Sequence, residues 1–236
     1  GLFPGRPRFP FGENPAEAYN FSLYSLEAMF AAHDFSAPPD ADEYRVILIG
    51  DSSTWGTLLR PQETLAGQLN ALGLASCDGR LMTFYNLGYP TLSVTKDLMI
   101  LDEALRSPYP PDAVIWLVTL EGLPDDRQLD SPLAANNAGR VSSLINAHSL
   151  NSIRADDPAL AYPDFWGRTI LAQRRALADL LRLQLYGAMW AATGIDQFYP
   201  AEYDPAQRDL QADPTFNGWQ EVDFSPDLLA WDVLEA

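Results

Sequence analysis

The chain has 236 residues, 47% of them hydrophobic, with 15 Lys and Arg set against 32 Asp and Glu and a net charge of −17. Length and apolar content suffice for one α/β domain with a substantial core. The acidity excludes non-specific nucleic-acid binding, which needs a basic surface to neutralise phosphates, and the lone Cys77 excludes an intrachain disulfide framework and a Cys-based zinc site.

Residues 1–42 are expected to form an extended arm followed by a short helix. Pro4, Pro7, Pro10 and Pro15 rule out regular helix at the start. Such an arm either tethers the domain to a neighbour or membrane anchor, or is a plain chain terminus. Apolar residues from Phe21 to Phe30 predict a helix over 20–35, stopped by Pro38-Pro39. His33, at the end of that helix, reads as a C-terminal cation or cap rather than a catalytic group.

From residue 43 a single α/β domain is expected. Val46 to Ile49 is a continuous apolar run that stops at Gly50-Asp51-Ser52, the pattern of a buried parallel strand. Leu65, Leu69 and Leu72 predict a helix near 63–72, and Leu81–Asn86 reads as the second strand, ending in Leu87-Gly88-Tyr89-Pro90. Val94, Leu98, Leu101 and Leu105 mark a helix over 93–106, broken by Pro108 and Pro110. Ala113–Thr119 is again continuously apolar and is expected to be a central strand. Strand and helix alternating at this spacing point to a parallel sheet.

Residues 123–166, rich in Pro, Asp and Asn, read as an insertion that builds a pocket or lid, with helix near 140–147. A long helix is expected over 168–192, and an aromatic, acidic tail from Asp196. The nearest approach to a membrane span, Leu177 to Ile195, is interrupted by Asp179 and Arg182. Tail aromatics such as Tyr199, Tyr203, Trp219 and Trp231 are expected to fill core or surface, with sugar stacking or partner packing as the alternative. Asp125-Asp126 and Asp156-Asp157 read as solvated turns, Ca²⁺ binding being the minor alternative. Lys96 is the only lysine, a feature attributed to genome composition. Neither a phosphate loop nor a His-Glu-x-x-His helix is present, so no cofactor and no metal is expected.

Gly50-Asp51-Ser52 after an apolar strand resembles the first signature of the SGNH (GDSL) hydrolase family. The resemblance implies a three-layer α/β/α, flavodoxin-like parallel sheet with Ser52 as the catalytic nucleophile. Asn86-Leu87-Gly88 is similar to the second signature, which implies oxyanion donors in the backbone N–H groups of Ser52 and Gly88. Asp51 and Asn86 would line the site. At the third signature Thr119-Leu120-Glu121-Gly122 departs from the family pattern, because Glu121 stands where an Asn donor is expected and a carboxylate cannot donate. Asn136 or Asn137 would replace that donor, or Glu121 would orient a histidine, bind a sugar hydroxyl or cap a turn.

The family's last signature, Asp-x-x-His, is absent. His33 and His148 are the only histidines, preceded at that spacing by Phe30 and Ile145. The expectation is a domain incomplete at its C-terminus, the remaining sheet and the Asp-His pair lying beyond Ala236. The alternative is a domain without its base, and serine without a base is a poor nucleophile.

The texture of residues 50–56 and 85–98 is similar to the membrane-linked branch that moves acyl groups onto polysaccharides. That likeness implies an extracytoplasmic protein anchored through a segment before Gly1, and a membrane-protein partner or larger assembly. Two functions follow as expectations. One is a serine-dependent ester hydrolase or O-acyltransferase acting on acylated glycans or small esters. The other is a catalytically inactive structural subunit of a larger, membrane-associated assembly.

Overall fold

Among the described residues the first strand is buried along most of its length. In the computed structural model Val46, Ile47, Leu48 and Ile49 are each at most 1% exposed. Burying such side chains is worth about 1.5–3 kcal/mol each. The structure describes residues 26–56, 59, 61–161, 165–172, 174, 177, 178, 181, 185 and 225–236. Strands β1 (Glu43–Gly50), β2 (Leu81–Asn86) and β3 (Ala113–Leu117) form a parallel sheet in the order β2-β1-β3, within a mixed α/β fold. The register places Val46 opposite Phe84 on one side and Ala113 on the other.

Alternate residues of β1 serve two separate apolar clusters, which is why its sequence does not alternate. Val46 and Leu48 meet Phe84 of β2 and Ala66 of helix α3 (Leu65–Ala71). Ile47 and Ile49 join the larger cluster, which includes Leu26 and Phe30 of α1 (Leu26–Ala31) and Leu98, Met99 and Ile100 of α4 (Val94–Leu105). Helix α2 (Ser52–Trp55) is the single turn between β1 and the segment leading to α3. The helix starts follow capping chemistry. Thr64 accepts from the Gly67 amide ahead of α3, and Ser93 accepts from the Lys96 amide ahead of α4.

Residues 123–160 contribute to the core. Helices α5 (Pro132–Ala135) and α6 (Ala138–His148) bury Leu133, Ala134, Val141, Leu144 and Ile145 in the same cluster as α4. Gln128, fully buried, ties this segment down. Its Nε2 donates to the carbonyls of Gly122 (3.0 Å), Leu123 (3.2 Å) and Pro124 (2.7 Å), while Oε1 accepts from the Thr95 amide and hydroxyl. Helix α7 (Trp231–Glu235) inserts Val233 into the same cluster, and the Ala230 amide donates to Leu123 O at 2.8 Å.

Two sequence expectations differ from what is observed. β3 is an edge strand, with Val114 and Ile115 more than a third exposed, rather than a central one. A continuous apolar run reads as burial on both faces, but among the described residues no strand pairs with its outer side. Within the described residues the first helix is Leu26–Ala31, ending before the expected residue 35, and His33 lies beyond it as the buried N-cap of a 3-10 turn, Asp34–Ser36. Residues 20–25 of that expected helix, most of the helix expected over 168–192 and the tail from 196 to 224 lie outside the described residues.

The opposite edge, β2, is closed locally by a side chain. Asn70 donates to Phe84 O and accepts from the Phe84 amide, both at 2.8 Å, so its carboxamide stands where a neighbouring strand would pair. At the amino-terminal end of β1, Arg45 is 2% exposed and lies over the rings of Phe35 and Tyr85. Its guanidinium donates to the carbonyls of Tyr109 (2.8 Å) and Phe35. Removing it leaves a cavity, with one buried and one part-buried acceptor losing their donor. Arg45→Ala is expected to lower the unfolding free energy by about 3 kcal/mol. In urea denaturation the midpoint should fall with an unchanged slope, and a loss under about 1 kcal/mol would contradict this assignment.

Candidate functional site

The three strands run parallel, so their carboxyl ends lie together, the place where open α/β sheets carry ligands. Gly50 closes β1 with φ +153, and a Cβ there would stand 2.3 Å from Thr54 Oγ1 and 2.7 Å from Leu117 O. The chain therefore turns directly into α2, whose first residue, Ser52, is solvent-exposed. Asp51 is the N-cap: its Oδ1 accepts from the Ser53 amide (2.8 Å) and hydroxyl (2.7 Å). Its Oδ2 accepts from the hydroxyl of Thr119, just after β3. Burial pushes the Asp51 carboxyl up, but hydrogen bonds from Thr119 and Ser53, with the Lys96 charge behind them, outweigh that and hold it below the ordinary aspartate value.

Gly88 lies against α2. A Cβ on it would fall 2.4 Å from the Trp55 amide nitrogen and 2.8 Å from Trp55 Cα. The Gly88 N–H donates to Asn86 Oδ1 at 3.0 Å, and Asn86 Nδ2 donates to Thr54 O at 2.8 Å. Asn86 is thus the bracket between the second turn and α2. The amide assigned to an oxyanion by sequence resemblance is engaged by this side chain here, so it serves an oxyanion only by sharing or releasing that bond.

The other expected residues are spread out. Glu121 is half-buried in the 3-10 turn Leu120–Gly122 that follows β3, on the same edge as Asp51. Asn136 and Asn137 sit between α5 and α6, with their Nδ2 groups turned back onto Pro132 O and Leu133 O at 2.8 Å each. His148 ends α6 and is exposed. His33 lines a groove of about 410 Å³ together with Trp55, Thr64, Asn70 and Asn86. Asp157 caps its own turn by accepting from the Ala159 amide, and Asp156 pairs with Arg154. Among the described residues no cluster of His, Cys, Asp and Glu could hold a metal, and no helix is long and apolar enough to cross a membrane.

Beneath these turns lies a group the sequence reading passed over. Lys96, in the first turn of α4, is fully buried. Its Nζ donates to Gly50 O (3.0 Å), Tyr89 O (3.2 Å) and Asp97 Oδ1 (2.6 Å). The other oxygen of Asp97 accepts from Trp116 Nε1 of β3 at 3.2 Å. Asp51, Asp97 and Thr119 also border one small pit. Burial pushes the Asp97 carboxyl up to about 6, against the Lys96 charge and the hydrogen bonds from Lys96 and Trp116; the Asp51 charge adds to the rise. The available signal was a solitary lysine beside an acid at a helix start. Comparison of the chain with protein-family models, curated proteins and solved structures returned no match.

Two predictions follow from this geometry. Gly88→Ala must drive its methyl into α2 backbone, which is expected to cost about 1–3 kcal/mol by overpacking. A variant as stable as wild type in thermal and urea unfolding would show that the two turns do not pack as described. The second prediction concerns Asp97. Because its folded pKa lies above its ordinary value, its contribution to stability is fully present below pH about 4 and is lost as pH rises toward about 6. Asp51 has the opposite sign, contributing above its ordinary value and losing that contribution as pH falls. Carbon-13 NMR of the side-chain carboxyls should give an Asp97 midpoint near 6, moving upward in Lys96→Met; a midpoint unmoved by that change would contradict the pairing.

Proposed function

We propose that the chain is an SGNH-like three-layer α/β/α domain that uses Ser52 to cleave or transfer an acyl ester. One observation carries the reading: an exposed serine at the start of a one-turn helix, directly after the carboxyl end of the central strand, backed by a capping aspartate anchored to the next strand. Ser52 Oγ attacks the ester carbonyl and its proton passes to a base. The tetrahedral oxyanion is held by backbone N–H groups at the start of α2 and at Gly88. Collapse breaks the ester C–O bond, the proton goes to the leaving alcohol, and water or a glycan hydroxyl then takes the acyl group. The reading calls for a base, an Asp-His pair supplied by residues other than these 236, whose only histidines are His33 and His148. It also calls for an extracytoplasmic setting and an acylated glycan or small ester as substrate.

A second reading, a non-catalytic structural subunit of a larger, membrane-associated assembly, is favoured by two specific observations. Gly88 N–H is already bonded to Asn86, and the third turn offers Glu121 in place of a donor.

Covalent labelling separates the two. The full-length native protein treated with a fluorophosphonate is expected to gain one adduct, mapped to Ser52 by peptide mass analysis. Ser52→Ala should gain none and should unfold within about 0.5 kcal/mol of wild type, as for an exposed substitution. Labelling that survives in Ser52→Ala would overturn the serine assignment, and an unlabelled wild-type protein would favour the subunit reading.

A further inference from the structure

The proposed chemistry makes no use of Lys96, yet its ammonium occupies the point where the serine turn and the Gly88 turn meet. An ammonium has three protons, and each finds an acceptor here. Two acceptors are backbone carbonyls beside the proposed site: Gly50, which leads into Asp51-Ser52, and Tyr89, which follows Gly88. The third is Asp97, itself braced by the indole of Trp116. Gly50 O also accepts from the Tyr89 amide at 2.9 Å. The ends of all three strands are therefore joined through one buried ion pair.

Stability alone does not explain such a pair. A buried ion pair is commonly no more stabilising than apolar residues of the same volume, because desolvating two charges offsets their attraction. An ammonium does two things that an apolar side chain cannot. It gathers carbonyls from two different turns at fixed separation, and its charge favours the ionised carboxylates of Asp97 and Asp51. The charged groups facing it are Asp97 on its own helix and Asp51 at the N-cap of α2.

We infer that Lys96, held by Asp97, is a positioning residue of the serine site: it fixes the Ser52 turn against the Gly88 turn. This inference rests on the serine reading for its chemical consequence, but its structural half can be read independently.

The test uses the full chain with the paired change Lys96→Met/Asp97→Asn, which removes both charges together and leaves Trp116 an acceptor. Fluorophosphonate labelling is followed over a range of probe concentrations by intact mass, and amide hydrogen exchange is followed at Tyr89. The folded double variant is expected to label with a maximal rate about a hundredfold lower, the scale of a small misplacement of reacting groups. Its half-saturating probe concentration should stay nearly constant, as expected when ground-state binding is untouched. Exchange at the Tyr89 amide should accelerate while that at the Gln68 amide of α3, bonded to Thr64 O, does not. A folded double variant labelling at the wild-type maximal rate overturns the inference. If wild type and variant are both unlabelled, the serine reading fails; the positioning claim then stands on an accelerated Tyr89 amide and is overturned by an unchanged one. Should the double variant not fold, Asp97→Asn alone decides: the maximal rate is expected to fall by about tenfold or more, and a wild-type rate overturns the role given to Asp97.

Discussion

Gly50 O accepts from two donors on different elements, the Tyr89 amide and the Lys96 ammonium, and the upper edge of the sheet is built around that junction. A carbonyl at the end of a central strand has no further ladder partner. Left buried and unmet it costs about 1–3 kcal/mol. The fold meets the need with the Tyr89 amide and with a charge, the charge then requires Asp97, and Asp97 is bonded to Trp116 of β3. Each requirement recruits another strand end, so three turns that are distant in sequence are held as one surface.

Two buried cations bracket one face of the same sheet. Arg45 lies under its amino-terminal end and Lys96 under its carboxyl end, and neither is used in the way surface charges are. Arg45 faces aromatic rings and carbonyls, where a flat, weakly hydrated guanidinium is well suited. Lys96 sits in a tighter position with convergent acceptors, where a compact ammonium fits better. The two sites differ in consequence. The surroundings of Arg45 are structural, whereas the acceptors of Lys96 adjoin Asp51, Ser52 and Gly88.

The repeating part of this architecture was legible in the sequence. The spans of β2 and α4 follow from apolar pattern and from caps such as Ser93, because local hydrogen bonding and burial decide them. What escaped is what depends on distant partners. The edge position of β3 is a property of pairing, not of composition, since a run such as Ala113–Leu117 is equally apolar in either place. Residues 123–160, whose Pro and Asp content suggested a lid, carry apolar side chains at helical spacing that α4 needed for its own burial. Lys96 was visible as an oddity of composition, but its burial could not be read without knowing that the ends of β1 and β2 converge on it. For the candidate site, the turns at Ser52 and Gly88 were legible and their bonding was not. Gly88 adjoins α2, but the capture of its amide by Asn86 depends on a rotamer that no pattern encodes.

The serine-bearing helix is a single turn, too short to stand by itself, because nucleating a helix fixes several residues for one hydrogen bond. Its geometry has to be imposed from outside. Thr54 is wedged against Gly50, Trp55 against Gly88, and Asn86 holds the Thr54 carbonyl. Asp51 adds the cap and, through Thr119, a tie to the end of β3. A turn that served only to connect a strand to a helix would need the cap alone. The additional constraints converge on one turn from three strands, and they fix a residue whose side chain faces solvent. Ser52 is therefore held by more interactions than a connecting turn requires, and that surplus is what supports the role proposed for it.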